Sequence, residues 1–199
     1  MRTQDRKKIM PRKFNQMDKI IVIDIEATCY EAGKFPHDEV QEIIEFGITL
    51  IDVKQRNIAF STSILVKPMR SKISAYCENL TSLTTKILEA SGVSFIDAIA
   101  MIQNQFSPKT CTWASYGNFD KSLIKEQCAR EGIKCPFSAN HFNIKNLFAL
   151  KFGLNSEVGM KEALKIAGIP LEGRHHRGVD DSKNIAKILI KILWNEEKS

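Results

Sequence analysis

Hydrophobic positions along the chain switch between two rhythms. Ile20-Ile21-Val22-Ile23 opens an apolar run that continues as Asp24-Ile25-Glu26-Ala27-Thr28. Its length and β-branched content predict a strand buried on both faces, at the middle of a sheet. After a polar loop over 29–38 containing Gly33 and Pro36, residues 42–53 and 57–68 predict two more strands, the second ended by Pro68. Their short connections predict an antiparallel meander.

The period then becomes helical. Residues 84–91 predict a helix stopping before Gly92. Ser94 opens another, with Asp97 at the capping-box position and an apolar face of Phe95, Ile96, Ile99, Met101, Ile102 and Phe106. Residues 110–116 are β-prone and predict a fourth strand, which Gly117-Asn118 turns into a helix over 119–130. Further helices are predicted over 160–167, closed by Gly168 and Pro170, and over 180–194, with Ile185, Ile188, Leu189, Ile192 and Leu193 on one face. This order predicts an α/β fold with a mixed central sheet, strands 1–3 antiparallel and the rest parallel, flanked by helices.

Composition narrows the class. The chain has 199 residues, the size of one domain, with 43% hydrophobic and 26% charged residues. No apolar run approaches a membrane span, and no membrane partner is expected. Residues 1–19 carry Arg2, Arg6, Lys7, Lys8, Arg12 and Lys13 and predict a flexible, solvated basic tail, with a nucleic-acid-binding arm as the alternative. The remaining residues, 20–199, form the predicted folded domain. Five scattered cysteines without a CxxC pair argue against a zinc site or a disulfide framework and for reduced thiols in a cytoplasmic setting. A net charge of +6 permits a polyanionic partner.

The first strand carries the chemical signal. Asp24 and Glu26 interrupt it two residues apart and so project from the same side. A buried pair of like charges needs a neutralising partner, and an all-oxygen ligand set favours Mg2+ or Mn2+. Asp120 stands at a strand-to-helix turn, and Asp181 at the start of the last helix, five residues after His176. Either aspartate alone could be a helix-terminal stabiliser. Together with Asp24 and Glu26 they form an ordered pattern of acids plus one histidine.

That pattern resembles the DEDDh family of 3′-to-5′ exonucleases from residue 20 to residue 194. The first motif is carried by Asp24-Ile25-Glu26, the second by Asp120, the third by His176 with Asp181. Asp24 to Cys29, Glu42-Ile43-Ile44-Glu45-Phe46, Tyr76-Cys77 with Leu80-Thr81, and Gly173-Arg174-His175-His176 followed by Gly178 to Asn184 resemble the eukaryotic-type exoribonucleases that trim histone mRNA and small RNAs. Two departures stand out. The extra SAP domain of some members is not expected here, and the second motif reads Tyr116-Gly117-Asn118-Phe119-Asp120.

The resemblance implies a ribonuclease H-like exonuclease fold and hydrolysis assisted by two metal ions, two Mg2+ with Mn2+ as the substitute. Such ions, roughly 3.5–4 Å apart, can clamp the attacking and leaving oxygens of a phosphoryl displacement. It implies Asp24, Glu26, Asp120 and Asp181 as metal ligands, with His176 as the general base. The family spacing selects His176 over His175 and Asp181 over Asp180. Tyr76 and Phe119 are candidates for base stacking, Ala27 and Thr28 for meeting the terminal ribose, and Leu80 for a wedge between the last two bases. Arg174, Arg177, Lys183 and Lys121 are candidate phosphate contacts. His37 and His141 sit in polar loops and are expected to be solvated. The implied partner is single-stranded nucleic acid, RNA ahead of DNA; a non-catalytic RNA-binding module is the alternative from another class.

Overall fold

In the computed structural model, residues 17–194 are described. Residues 1–16 of the predicted basic tail lie outside the described residues, and Lys19 opens the first strand. Five strands form one sheet in the order β3-β2-β1-β4-β5. They are β1 (Lys19–Ala27), β2 (Ile43–Asp52), β3 (Asn57–Leu65), β4 (Thr112–Ser115) and β5 (His141–Asn143). β1 pairs antiparallel with β2 and parallel with β4, so the acid-bearing strand is central. The mixed sheet agrees with the sequence expectation.

Strand alternation sorts the core into two layers. Ile21, Ile23 and Ile25 pack with α3 (Phe95–Phe106) and α4 (Phe119–Arg130). Ile20 and Val22 pack on the other face with α5 (Ile144–Lys151), α6 (Met160–Ile166) and α7 (Gly178–Trp194). Asp24 and Glu26 continue this second, even-numbered face. They sit where its apolar packing ends and the N-terminus of α7 begins.

Two short helices precede α3, α1 (Ala75–Thr81) and α2 (Thr85–Ser91). Sequence reasoning missed α1, β5 and α5. α1 has seven residues and buries only Cys77 and Thr81, so it leaves almost no apolar period to detect. β5 has three residues, and α5 opens directly behind it on the side chain of Asn143, which accepts from the Asn146 N–H. On α3, Ile96 and Met101 are exposed, because the buried stripe follows Phe95, Ala98, Ile99, Ile102 and Phe106. Leu193 is exposed too, at the end of α7. Ser94 caps α3: its hydroxyl accepts from the Asp97 N–H and donates to that carboxylate at 2.6 Å, a hydroxyl-to-carboxylate contact where a capping box would use the Ser94 backbone N–H.

His141 differs from expectation. It is half-buried on β5, its Nε2 lies 2.9 Å from Ser115 Oγ, and its ring packs on Trp113. Burial, followed by Lys121 and Lys125, pushes its pKa down to about 4, so it is a neutral structural residue. His37 is exposed, as expected.

The seam between β2 and α7 is tight. A Cβ on Gly47 would fall 1.8 Å from the carbonyl carbon of Gly178, and Thr49 Oγ1 meets Ser182 Oγ at 3.0 Å just beyond. Gly47→Ala therefore has to push the start of α7 off the sheet. It is expected to lower stability by about 1–3 kcal/mol and with it the melting temperature, measured by thermal unfolding. An unchanged melting temperature would contradict this seam.

Candidate active site

Four acids meet at the end of β1. The carboxylates of Asp24, Glu26 and Asp181 bring one oxygen each within 4.8 Å of one another. Asp120, in the first turn of α4, lines the same cleft and accepts the Ile25 N–H at 3.0 Å. It arrives through a turn at Gly117, whose φ of +113° suits glycine. Asp181 arrives on the first turn of α7. Its Oδ2 accepts the backbone N–H of His176 at 2.8 Å and lies 2.9 Å from His175 Nδ1. Its Oδ1 is buried without a partner. Asp180 points elsewhere and accepts the Arg174 N–H at 2.8 Å. Of the two aspartates, Asp181 lines the cleft with the other acids and Asp180 does not.

Crowding these groups makes their ionisation costly. Burial first, then Asp181, Glu45 and Asp120, pushes Glu26 up to about 8, and only Arg177 opposes it. Burial pushes Asp120 and Asp181 each to about 6. Asp24 rises well above its ordinary value, through burial and then its acidic neighbours. An orphaned buried oxygen amid carboxylates that resist ionising fits a divalent cation, and the all-oxygen donor set suits Mg2+ or Mn2+.

Both histidines line the cleft with their rings 3.9 Å apart. His175 is held by Asp181; among the described residues, no hydrogen bond to another protein group ties the ring of His176. His176 has a φ of +66°, in the left-handed region, which turns the chain sharply just before α7. Burial lowers the pKa of both rings below the usual imidazole value. Both are therefore neutral at neutral pH.

The cleft encloses about 330 Å³, a size suited to a small ligand. Its apolar walls come from Phe119, Tyr116, Met160 and Ile185. Phe119 is 53% exposed, so it is free to offer a ring face. The sequence pattern did not assign Tyr116, Met160 or Ile185 to the cleft, and it weighed His175 only as the rival to His176; their signal was adjacency in the fold.

The remaining candidates lie outside the cleft lining. Ala27 and Thr28 are buried, and both backbone polar groups of Thr28 are engaged, its N–H with Glu42 and its carbonyl with Gln41. Tyr76 and Leu80 ride on α1, which flanks the cleft: Cys77 Sγ reaches the Ala27 carbonyl, and Arg174 donates to the Asn79 carbonyl. Tyr76 is exposed. Lys183 pairs with Glu172, and Arg177 turns inward onto buried Glu45. Lys121 is half-exposed on α4.

Comparison with known proteins agrees with this geometry. Residues 21–189 match the family model for exonucleases of the RNase T type. The chain is 27% identical over 194 residues to the 3′-5′ exonuclease Snipper of Drosophila melanogaster, covering 87% of this chain and 69% of that protein. It is 29% identical over 201 residues to 3′-5′ exoribonuclease 1 of Rattus norvegicus, covering 94% of this chain but only 58% of the relative. The nuclease domain of 3′hExo, a DEDDh family member solved with rAMP bound, superposes with a TM-score of 0.77 at 27% identity, covering 89% of this chain and 92% of that one. The chain belongs to the RNase T exonuclease family, among the DEDDh 3′-5′ exonucleases similar to 3′-5′ exoribonuclease 1.

Proposed function

We propose that the chain is a divalent-metal-dependent 3′-to-5′ exoribonuclease that releases nucleoside 5′-monophosphates from single-stranded RNA. The observation that carries this reading is the convergence of Asp24, Glu26 and Asp181, with Asp120 in the same cleft beside two neutral histidines. Asp24, Glu26, Asp120 and Asp181 would hold two Mg2+, or Mn2+ in their place. A bound divalent cation supplies water of lowered pKa and charge neutralisation at the phosphate. His176 takes the proton of the attacking water. The new bond forms between that water oxygen and phosphorus; the bond to the 3′ oxygen of the preceding nucleotide breaks, and that oxygen takes a proton from solvent to leave a 3′-hydroxyl end. His175 holds Asp181 in position through Nδ1. RNA is favoured as substrate because a solved relative was determined in 3′-end recognition of a histone mRNA stem-loop, and another carries rAMP.

Phe119 offers the surface for the terminal base. Stacking of one base is worth about 1–3 kcal/mol, so Phe119→Ala should raise KM by roughly 5- to 150-fold in steady-state assays while kcat changes little. An unchanged KM would remove Phe119 from substrate binding.

The function is tested with 5′-labelled single-stranded RNA and a matched DNA oligomer, with Mg2+ and with EDTA. A ladder shortening from the 3′ end, abolished by EDTA and faster on RNA, is expected. Internal cuts, or turnover in EDTA, would sink the exonuclease reading, and faster decay of the DNA would sink the RNA assignment.

A further inference from the structure

Glu45 lies on β2 directly across from Glu26 and is fully buried. A buried carboxylate is stable only when hydrogen-bonded and neutralised, and Glu45 has four contacts that do so. Oε1 accepts from Ser63 Oγ at 2.6 Å and from Arg177 Nη2 at 3.5 Å. Oε2 accepts from Arg177 Nε at 3.2 Å and from the Gly178 N–H at 3.0 Å. Three of the four come from two consecutive residues, those between His176 and the body of α7.

That short link has little freedom of its own. Gly178 is pressed onto the sheet, where a Cβ would lie 2.9 Å from the Gly47 nitrogen and 3.1 Å from the Asp24 carbonyl oxygen. The Arg177 carbonyl accepts the Asp181 N–H at 2.9 Å, the first helical bond of α7. On its other side, His176 holds a left-handed φ of +66°, uncommon for a residue other than glycine. One carboxylate therefore clamps the peptide that sets both the direction of the His176 ring and the start of the helix bearing Asp181.

We propose that Glu45 is a positioning residue for the hydrolysis, acting through Arg177 and the Gly178 amide to hold His176 and Asp181 against β1. It need not touch substrate or metal to do so. The inference rests on the hydrolytic reading of the cleft. It also assigns Arg177 a task inside the protein in place of the phosphate contact suggested by its charge.

The test uses the full chain carrying Arg177→Ala, Arg177→Lys, Glu45→Gln, and Glu45→Gln with Arg177→Ala, alongside wild type. Kinetics are read on the labelled RNA, and amide exchange of residues 174–181 is followed by mass spectrometry. A misplacement near 1 Å costs about 100-fold, so Arg177→Ala and Glu45→Gln should each lower kcat by about 10- to 100-fold. KM should stay within about twofold of wild type, since substrate binding is untouched. The double variant should be no worse than the more severe single one, because both cut the same link. Arg177→Lys should recover part of the loss, and amides 174–181 should exchange faster in the impaired variants. Arg177 is partly exposed, so its replacement tests the idea even if Glu45→Gln fails to fold. Wild-type kcat in a folded Arg177→Ala protein, a loss confined to KM, or losses that multiply in the double variant would each overturn it. If wild type itself failed to cut RNA, the functional reading would fall, while the exchange data would still decide whether Glu45 holds the loop.

Discussion

Asp24→Ala is expected to lower kcat by roughly 1,000-fold or more while leaving the metal-free protein at least as stable as wild type. The activity loss follows from position: Asp24 shares its cluster with Glu26 and Asp181, and a bound metal ion is worth several kcal/mol of transition-state stabilisation, each 1.36 kcal/mol being about tenfold. The stability gain follows from the same crowding. Without a cation, Asp24 is an acid surrounded by three others and by buried Glu45, all of which push its pKa up. Removing it removes the cost of burying that carboxyl among other acids. Most ordinary core substitutions move activity and stability downward together; here the two should part. The measurements are steady-state kinetics and thermal unfolding in EDTA. A variant that loses activity because it melts earlier would contradict the assignment.

The pH dependence of stability has a definite sign. Glu26 has an ordinary value of 4.5 and is pushed to about 8 in the folded protein. Between those values the folded chain keeps a proton that the unfolded chain has released. Metal-free stability therefore falls as pH rises from 4.5 toward 8, and Asp120 and Asp181 add to the fall up to about 6. Adding Mg2+ should reverse the trend. At a hundredfold excess over Kd it contributes about 2.7 kcal/mol, roughly 5–10 °C in melting temperature for a chain of this size. A melting temperature that rises with pH in EDTA would contradict the acid cluster.

His176→Asn carries the second large effect. General-base catalysis contributes about 10²- to 10⁴-fold, so kcat should fall within that range while KM for RNA holds. Asparagine is preferred to alanine here because it tolerates the left-handed φ of +66°, which keeps the backbone turn intact. In wild type, burial and the neighbouring His175 and Lys161 lower the His176 pKa against the pull of Asp181. The active form is the neutral one, so activity should be lost as pH falls below the ordinary imidazole value of 6.5. That acidic limb should vanish in His176→Asn. The corresponding His175→Asn variant should lose much less, since its Nδ1 serves Asp181. If His175→Asn were the more damaging change, the two roles would have to be exchanged.

Much of this site was legible because its residues break local rules. Two acids inside an apolar strand are an electrostatic conflict visible in the sequence, and period-2 alternation already put them on one face. Asp120 and Asp181 were legible because they open helices after a strand and after a histidine-bearing loop. Glu45 was less so. It stands in an apolar strand too, yet nothing in its neighbourhood in sequence says that its partners are Ser63, Arg177 and Gly178, the last two more than a hundred residues away. The apolar walls were hidden for another reason: Met160 and Ile185 look like ordinary helix-core positions, and only the fold opens them to the cleft. His141 misled because a three-residue strand leaves no alternation to read.

The most direct test is a calorimetric titration of Mg2+, then Mn2+, into metal-free protein near neutral pH, in two buffers of different ionisation heat. Carboxylates that hold protons before binding must release them when a cation arrives. Saturable binding with proton release is expected in wild type, much weakened in Asp24→Ala. No saturable binding, or binding indifferent to Asp24→Ala, would contradict the claim that these buried acids form a divalent-cation site.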